Sequence, residues 1–418
     1  MPASPPMKTS ALERFLRYVT YDTQSAENVE TYPSTAKQLV LLDKLVEELR
    51  EIGLGDAARD EHGYVMATIP ATTRKANVPV IGFIAHVDTS PESPGANVKA
   101  IIHRNWQGQD IVLPDDATAV LRLQDNPGLR AQVGNDIITA SGTTLLGADN
   151  KAGVAEIVTA AEFLVKHPEI PHGAIRLAFT PDEEVGGGTK HFDVKKFGAF
   201  CGYTMDGEER GEVESETFSA DSMTVTFTGF NTHPGFAKGR LVNSIKVMAD
   251  FLQRLPKDRL SPETTEKREG FVHPYVVEAS VEKTSVKFLI RDFVTAALKE
   301  KESFLEGLAR ETAAAWKGVS VACKVEESYR NMKEVLDHYP QVVEHAREAV
   351  RRAGIEVHET AIRGGTDGSR LSFMGLPTPN VFAGEHNFHS RLEWISVQDM
   401  EKAVEVIVNL ARVWEESA

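Results

Sequence analysis

"VPVIGFIAHVD", residues 78–88, is apolar almost throughout until it ends in His86 and Asp88. A strand with one wet face alternates polar and apolar residues. A strand covered on both faces reads as a continuous apolar run, as this one does. "YVMATIP" (64–70), "GAIRLAFT" (173–180) and "FGAFCGYTMD" (197–206) read as further strands. Helical spacing separates them. Residues 34–52 place Leu39, Leu42, Val46 and Leu49 on one face, with Ser34 as the expected cap and Gly53 past the end. Residues 151–166, "KAGVAEIVTAAEFLVK", read as a second helix. Strands alternating with helices predict an α/β domain built on a mainly parallel sheet.

The pattern changes near residue 216. "SADSMTVTFTGF" alternates like a half-exposed strand, and "LVNSIKVMADFLQRL" is helical. "YVVEASVEKT" and "SVKFLIRDF" make two strands, followed by a helix over 295–316 and the strand "SVACKVEESY". That order, β-α-β-β-α-β, is a split βαβ unit of independent-domain size. After residue 326 helix-and-strand character of the first kind returns. The reading is a larger α/β domain in two parts, 1–215 and 327–418, with a smaller α+β domain inserted at 216–326. A chain of 418 residues is long enough for two cores.

Composition removes several function classes. A net charge of −15 disfavours nucleic acid, which needs a basic face. It suits an enzyme that gathers cations, and equally a protein that acidity merely keeps soluble. No apolar run nears the ~20 residues of a membrane helix. "MPASPPMKTS" has no signal-peptide pattern and reads as a disordered tail. Two cysteines, Cys201 and Cys323, with no CxxC, fit a reducing cytoplasm rather than a disulfide framework. No G-x-S-x-G occurs, so a serine hydrolase of that type is unsupported.

The polar residues then fall in a pattern. His86 and Asp88 close a buried strand, two apart and therefore on one face. Asp149 precedes a helix in "LLGADNKAG", where an N-cap is the ordinary reading. "FTPDEEVGGG" (179–188) sets Asp182, Glu183 and Glu184 side by side at a strand end. Asp206 ends another strand in "YTMDGEE", where Asp-Gly usually marks a turn. His389 lies in "GEHNFHSRLEW", after the strand-like "TPNVFAG", where a loop histidine is the ordinary reading. Each has an ordinary explanation alone. Together, His86, Asp149, Glu184, Asp206 and His389 sit at strand ends or a helix start, where open parallel sheets place ligand sites. Two imidazoles and three carboxylates form a mixed N/O donor set suited to zinc. With one carboxylate bridging, the set suits two zinc ions about 3.5–4 Å apart. A cationic centre would also relieve the repulsion within the acidic run. Adjacent glutamates point differently, so one can bind metal while its neighbour acts as a base. The glycines at 186–188 allow a sharp turn or a flexible loop.

These segments, with "NTHPGFAKG", "FLIRDF" and "IRGGTDGSRLSFMGLPTPN", occur in an order that resembles the peptidase T family. Those are tripeptide aminopeptidases among the dinuclear zinc exopeptidases that include carboxypeptidase G and the aminoacylases. The resemblance runs from about residue 8 to about residue 415. It implies His86, Asp149 and Asp206 on one zinc, and Asp149, Glu184 and His389 on the other. It implies that Asp88 orients His86, that Glu183 is the general base, and that Asp149–Asn150 is a cis peptide. His233, Asn243, Arg291 and Arg363 resemble substrate-binding residues; a surface salt bridge is the ordinary alternative for the two arginines. The family commonly carries a histidine where Leu392 stands here, a departure that leaves His386 as a competing ligand to His389. The implied activity is release of the N-terminal residue from short peptides in the cytoplasm, with two zinc ions replaceable by cobalt or manganese. A monomer or homodimer is expected, without nucleic acid or membrane. The rival readings are a related carboxypeptidase or N-acyl-amino-acid deacylase, and a peptide-binding protein without chemistry.

Overall fold

A computed structural model of the chain describes residues 11–418. The N-terminal decapeptide read above as a tail lies outside the described residues. Among the described residues no helix is long and apolar enough to cross a membrane. The chain divides into two compact units. The first runs through Ser215 and resumes at Val335–Thr360 and Thr366–Ala418; the second takes Glu216–Glu334 and Ala361–Gly365.

The first unit is organised by a seven-stranded sheet. Its order is Ala58–Arg59, Val65–Ile69, Ile175–Thr180, Ile81–His86, Cys201–Gly207, Asn380–Phe382, Val213–Glu214. The four strands from Ile175–Thr180 to Asn380–Phe382 are mutually parallel. The outer pairings are antiparallel, so the sheet as a whole is mixed. Ile81–His86 sits at the middle and is buried along its whole length. Each Ile or Phe buried there contributes about 1.5–3 kcal/mol, which is why the run tolerates no polar residue before His86. The helix Ala148–Lys166 lies against this centre and packs on Ile81–His86 and Cys201–Gly207. A second, antiparallel sheet joins Glu385–His386, Trp394–Ser396, Ile137–Thr139 and Ile101–His103.

The contact of that helix with the sheet is close enough to demand glycine. A Cβ on Gly153 would lie 2.0 Å from the Met205 carbonyl oxygen and 2.3 Å from Asn150 Oδ1. Met205 adjoins Asp206, so an added methyl would push the helix off the strand that carries a candidate ligand. Gly153→Ala is expected to destabilise the fold by about 1–3 kcal/mol, as overpacking does. Thermal melting would show it as a fall of several degrees. An unchanged melting temperature would mean that the helix and strand are not packed as described.

The helix Gln38–Glu51 begins later than its sequence suggests, and Ser34 does not cap it. Lys37 occupies the cap position without a side-chain cap bond. Ser34 is taken by Asp182 instead: its backbone N–H donates to Asp182 Oδ2 at 2.6 Å, and its hydroxyl donates to Oδ1.

The second unit has the element order β-α-β-β-α-β. Its antiparallel sheet runs Phe271–Ala279, Lys283–Asp292, Ser219–Thr228, Ser320–Tyr329. The helices Ser244–Gln253 and Thr295–Ala315 pack against it. Burial alternates along Ser219–Thr228 and Lys283–Asp292, and the inward residues Met223, Val225, Phe227, Val286, Phe288 and Ile290 form its core. Residues 361–365 join this unit through Ile362, whose carbonyl accepts from the Phe218 N–H at 3.0 Å. Both cysteines are free thiols.

Candidate metal centre

Strand ends of the first unit deliver most of the site. His86 ends the central strand, the Asp182–Glu184 segment follows Ile175–Thr180, and Asp206 lies near the end of Cys201–Gly207. Asp149 lies at the start of the long helix, yet its backbone is not helical and its peptide to Asn150 is cis. It is therefore no N-cap; Gly147 holds that position without a side-chain cap bond. His389 lies in the loop after Glu385–His386, with φ +57°.

These residues converge into two groups of candidate ligand atoms. His86, Asp149 and Asp206 place one atom each within 4.8 Å of one another, and so do Asp149, Glu184 and His389. Asp149 is common to both. Its Oδ1 lies 2.9 Å from His86 Nε2 and its Oδ2 lies 3.4 Å from His389 Nε2. Asp206 Oδ1 is 3.3 Å from His86 Nε2, and Glu184 Oε2 is 2.7 Å from His389 Nε2. His86 Nε2 is nevertheless buried without an aligned hydrogen bond, as is Glu184 Oε1. Ligand atoms of both kinds gather here with less hydrogen bonding than burial normally demands. That arrangement, and the N/O chemistry of the donors, fit divalent metal ions. His386 belongs to neither group. Its ring stacks on Trp394 at 3.9 Å, with Nδ1 3.4 Å from Glu208 Oε1.

The electrostatics of the site follow from burial and crowding. Burial lowers the pKa of His86, but Asp206, Asp149 and Asp88 more than reverse this and carry it well above the usual value. Burial also opposes a charge on His389, yet Asp149 and Glu184 raise it to about 11. Glu184 is pushed up to about 8 by burial and by Asp149, against the pull of His389 and His86. Burial pushes Asp149 up, and its bonds with His389 and His86 bring it below the ordinary carboxylate range. The most open member is His389, whose side chain is 35% exposed.

The three acids of "DEE" do not share one task. Asp182 turns away from the centre: its carboxylate accepts from Ser34 and from Gln38 Nε2 at 2.6 Å, and its N–H donates to Gln38 Oε1 at 3.1 Å. A positive φ of 59° at Asp182 makes this reversal. Divergence therefore relieves part of the repulsion within the run, which the sequence reading attributes to a cationic centre. Glu184 faces His389. Asp88 aligns both glutamates through their backbones: Glu183 N–H donates to Oδ1 at 3.0 Å and Glu184 N–H to Oδ2 at 3.2 Å. Asp88 Oδ1 also lies 3.3 Å from His86 Nδ1, and the Asp88 carbonyl 3.1 Å from it. The glycines form a tight turn: Gly186 N–H donates to the Glu183 carbonyl and Gly187 N–H to that of Asp182, each at 2.7 Å. A Cβ on Gly188 would lie 2.3 Å from Asp367 Oδ1.

Asp367 is a buried acid that the sequence reading did not single out. It accepts from Thr180 Oγ1 at 3.1 Å, while its Oδ1 has no hydrogen-bond partner. Burial raises its pKa to about 6. Its signal was present in "RGGTDG", but Asp-Gly there reads equally as a turn.

The four residues read as substrate-binding lie in the second unit. His233 precedes the short 3₁₀ turn Pro234–Phe236, and its Nδ1 accepts from the Gly235 N–H at 3.1 Å. Asn243 caps Ser244–Gln253 through Ile245 N–H at 2.9 Å. Arg363 donates to the carbonyls of Lys267 and Glu269 at 2.6 and 2.9 Å and stacks over Phe218 and Phe271. Arg291 Nη1 reaches the Arg363 carbonyl at 3.4 Å, and its Nε is buried without a partner. The contacts of these two arginines are thus with carbonyls and rings rather than the surface salt bridge weighed for them.

Comparison with known proteins adds the family. The model for peptidase family M20/M25/M40 matches residues 133–413. The chain is 48% identical over 412 residues to peptidase T of Geobacillus kaustophilus (strain HTA426), covering 99% of this chain and all of the relative. It is 48% identical over 403 residues to peptidase T of Clostridium botulinum (strain Loch Maree / Type A3), covering 96% and 98% of the two chains. Among solved structures, aminopeptidase PepT from Bacillus cereus ATCC 10987 superposes with a TM-score of 0.74 at 23% identity, over 97% of this chain and 98% of that one. The chain belongs to peptidase family M20/M25/M40, within its peptidase T group.

Proposed function

We propose that this protein is a metal-dependent aminopeptidase that removes the N-terminal residue from short peptides, tripeptides among them, using two zinc ions. The observation that carries the reading is the pair of ligand groups sharing Asp149, with Glu183 held next to the ligand Glu184 by its backbone bond to Asp88. Kinship at 48% identity to peptidase T over nearly the full chain supports the substrate class. In this reading His86, Asp149 and Asp206 hold one ion, and Asp149, Glu184 and His389 hold the other. Cobalt or manganese would suit the same donors. Ions held there supply Lewis acidity, polarising the scissile carbonyl and acidifying water.

The chain's own groups do the rest. Asp88 fixes the Glu183 and Glu184 backbones and the His86 ring. Glu183 takes a proton from the attacking water as its oxygen bonds to the carbonyl carbon. The C–N bond then breaks, and Glu183 returns the proton to the departing amine. His233, Asn243, Arg291 and Arg363 are assigned as substrate-binding residues; their sequence motifs support this part. Two free thiols suit a reducing cytoplasm.

A matched pair of substrates tests the reading. With Zn²⁺ supplied, a free tripeptide is expected to lose its N-terminal residue, and the same peptide N-acetylated to remain intact, by mass spectrometry. Deacylation of the blocked peptide, or release of its C-terminal residue, would instead indicate one of the related amidohydrolase activities.

A further inference from the structure

Glu393 is 1% exposed, deep beside the centre but in neither ligand group. A buried carboxylate is costly unless hydrogen bonds satisfy it. Here three backbone donors do so, all from one short turn. Leu146 N–H and Gly147 N–H donate to Oε2 at 2.7 and 2.8 Å, and Asp149 N–H donates to Oε1 at 2.9 Å. Both oxygens are thus spent on the turn that presents Asp149. The nearby positive charge is equally buried: Lys151 is fully covered, with Nζ donating to the Tyr21 carbonyl at 2.8 Å.

The other end of Glu393 is tied to the second histidine. Only three residues separate it from His389, and that stretch is stiffened internally. Ser390 Oγ donates to the Asn387 carbonyl at 2.8 Å and accepts from Leu392 N–H at 3.1 Å. Asn387 Nδ2 donates to the Leu392 carbonyl at 3.0 Å, and Ser93 Oγ to the His389 carbonyl at 2.7 Å. One side chain therefore joins the loop of His389 to the turn of Asp149.

We propose that Glu393 is a positioning residue for the metal centre. It holds the 146–149 turn so that Asp149 directs one oxygen toward His86 and the other toward His389. The proposal rests on the reading of Asp149 as a shared ligand. A carboxylate suits the task because it accepts at both oxygens. A glutamine has one acceptor and must turn its NH₂ toward a backbone donor, losing at least one bond and adding a repulsion. Outer contacts of this kind alter metal affinity or activity about 10–100-fold.

The test is Co²⁺ titration of metal-free wild type, Glu393→Gln and Glu393→Asp, followed by absorption, with kcat and KM for a tripeptide measured on each. Glu393→Gln is expected to bind Co²⁺ about 10–100-fold more weakly, to show an altered cobalt spectrum, and to lose kcat more than it raises KM. Glu393→Asp keeps both acceptors at shorter reach and should recover part of that affinity. A far-UV circular dichroism melt of each metal-free variant separates positioning from folding. If the glutamine variant does not fold, weakened Co²⁺ binding by a natively melting Glu393→Asp carries the prediction, and wild-type affinity in that variant overturns it. Tight binding of two Co²⁺ by both wild type and Glu393→Gln, with equal spectra and kcat, overturns the positioning role alone. Failure of wild type to bind Co²⁺ overturns the shared-ligand reading and this inference together.

Discussion

Glu183→Ala is expected to bind as many metal ions as wild type while kcat falls about 10²–10⁴-fold, the range a general acid–base contributes. The separation of the two effects is the point. Glu183 lies outside both ligand groups, whereas its neighbour Glu184 lies inside one. Its backbone is held by Asp88 Oδ1 at 3.0 Å, independently of its own carboxylate. Removing that carboxylate therefore leaves the donors standing. Its environment also suits a proton acceptor: burial raises its pKa well above the usual value, with Asp367, Asp206 and Glu184 adding to this against His86. Metal analysis and steady-state kinetics on one preparation check the prediction. Near-normal turnover would remove Glu183 as the base, and loss of metal would make it a ligand.

Asp149→Ala is expected to lose both metal ions and, with them, activity. Every other candidate ligand belongs to one group, so its removal leaves the second group whole. Asp149 belongs to both. It also separates two histidines whose raised pKa values depend on it. The loss of affinity should exceed the about 10–100-fold of an outer contact. A His389→Ala control, which empties only the second group, is expected to retain one ion. Retention of two ions by Asp149→Ala would refute its shared role.

Much of this centre was legible because parallel strands end where ligands gather. The apolar run ending at His86 and the strand ending near Asp206 could be read from hydrophobicity alone, since burial on both faces leaves little choice of residue. Asp149 was harder. Before a helix, aspartate usually caps, and only the local backbone shows that it does not. The role of Asp182 was hidden for another reason. Its positive φ turns it toward Ser34 and Gln38, which are 148 and 144 residues distant in sequence. The same long-range pairing took Ser34 away from its expected cap. Glu393 stood within a recognised motif, but its partners are backbone N–H groups more than 240 residues earlier, which no side-chain pattern reveals. The return of residues 361–365 to the second unit likewise rests on long-range partners: Ile362 pairs with Thr217 and Phe218, and Arg363 bonds the Lys267 and Glu269 carbonyls.

The most direct test of the dinuclear reading is a count of metal per chain. Wild type and Asp149→Ala, each loaded with Zn²⁺ and freed of excess, would be measured by inductively coupled plasma mass spectrometry against protein concentration. Two ions per wild-type chain and none in the variant are the predicted result. A single ion in wild type, or an unchanged count in the variant, would contradict a centre built around Asp149.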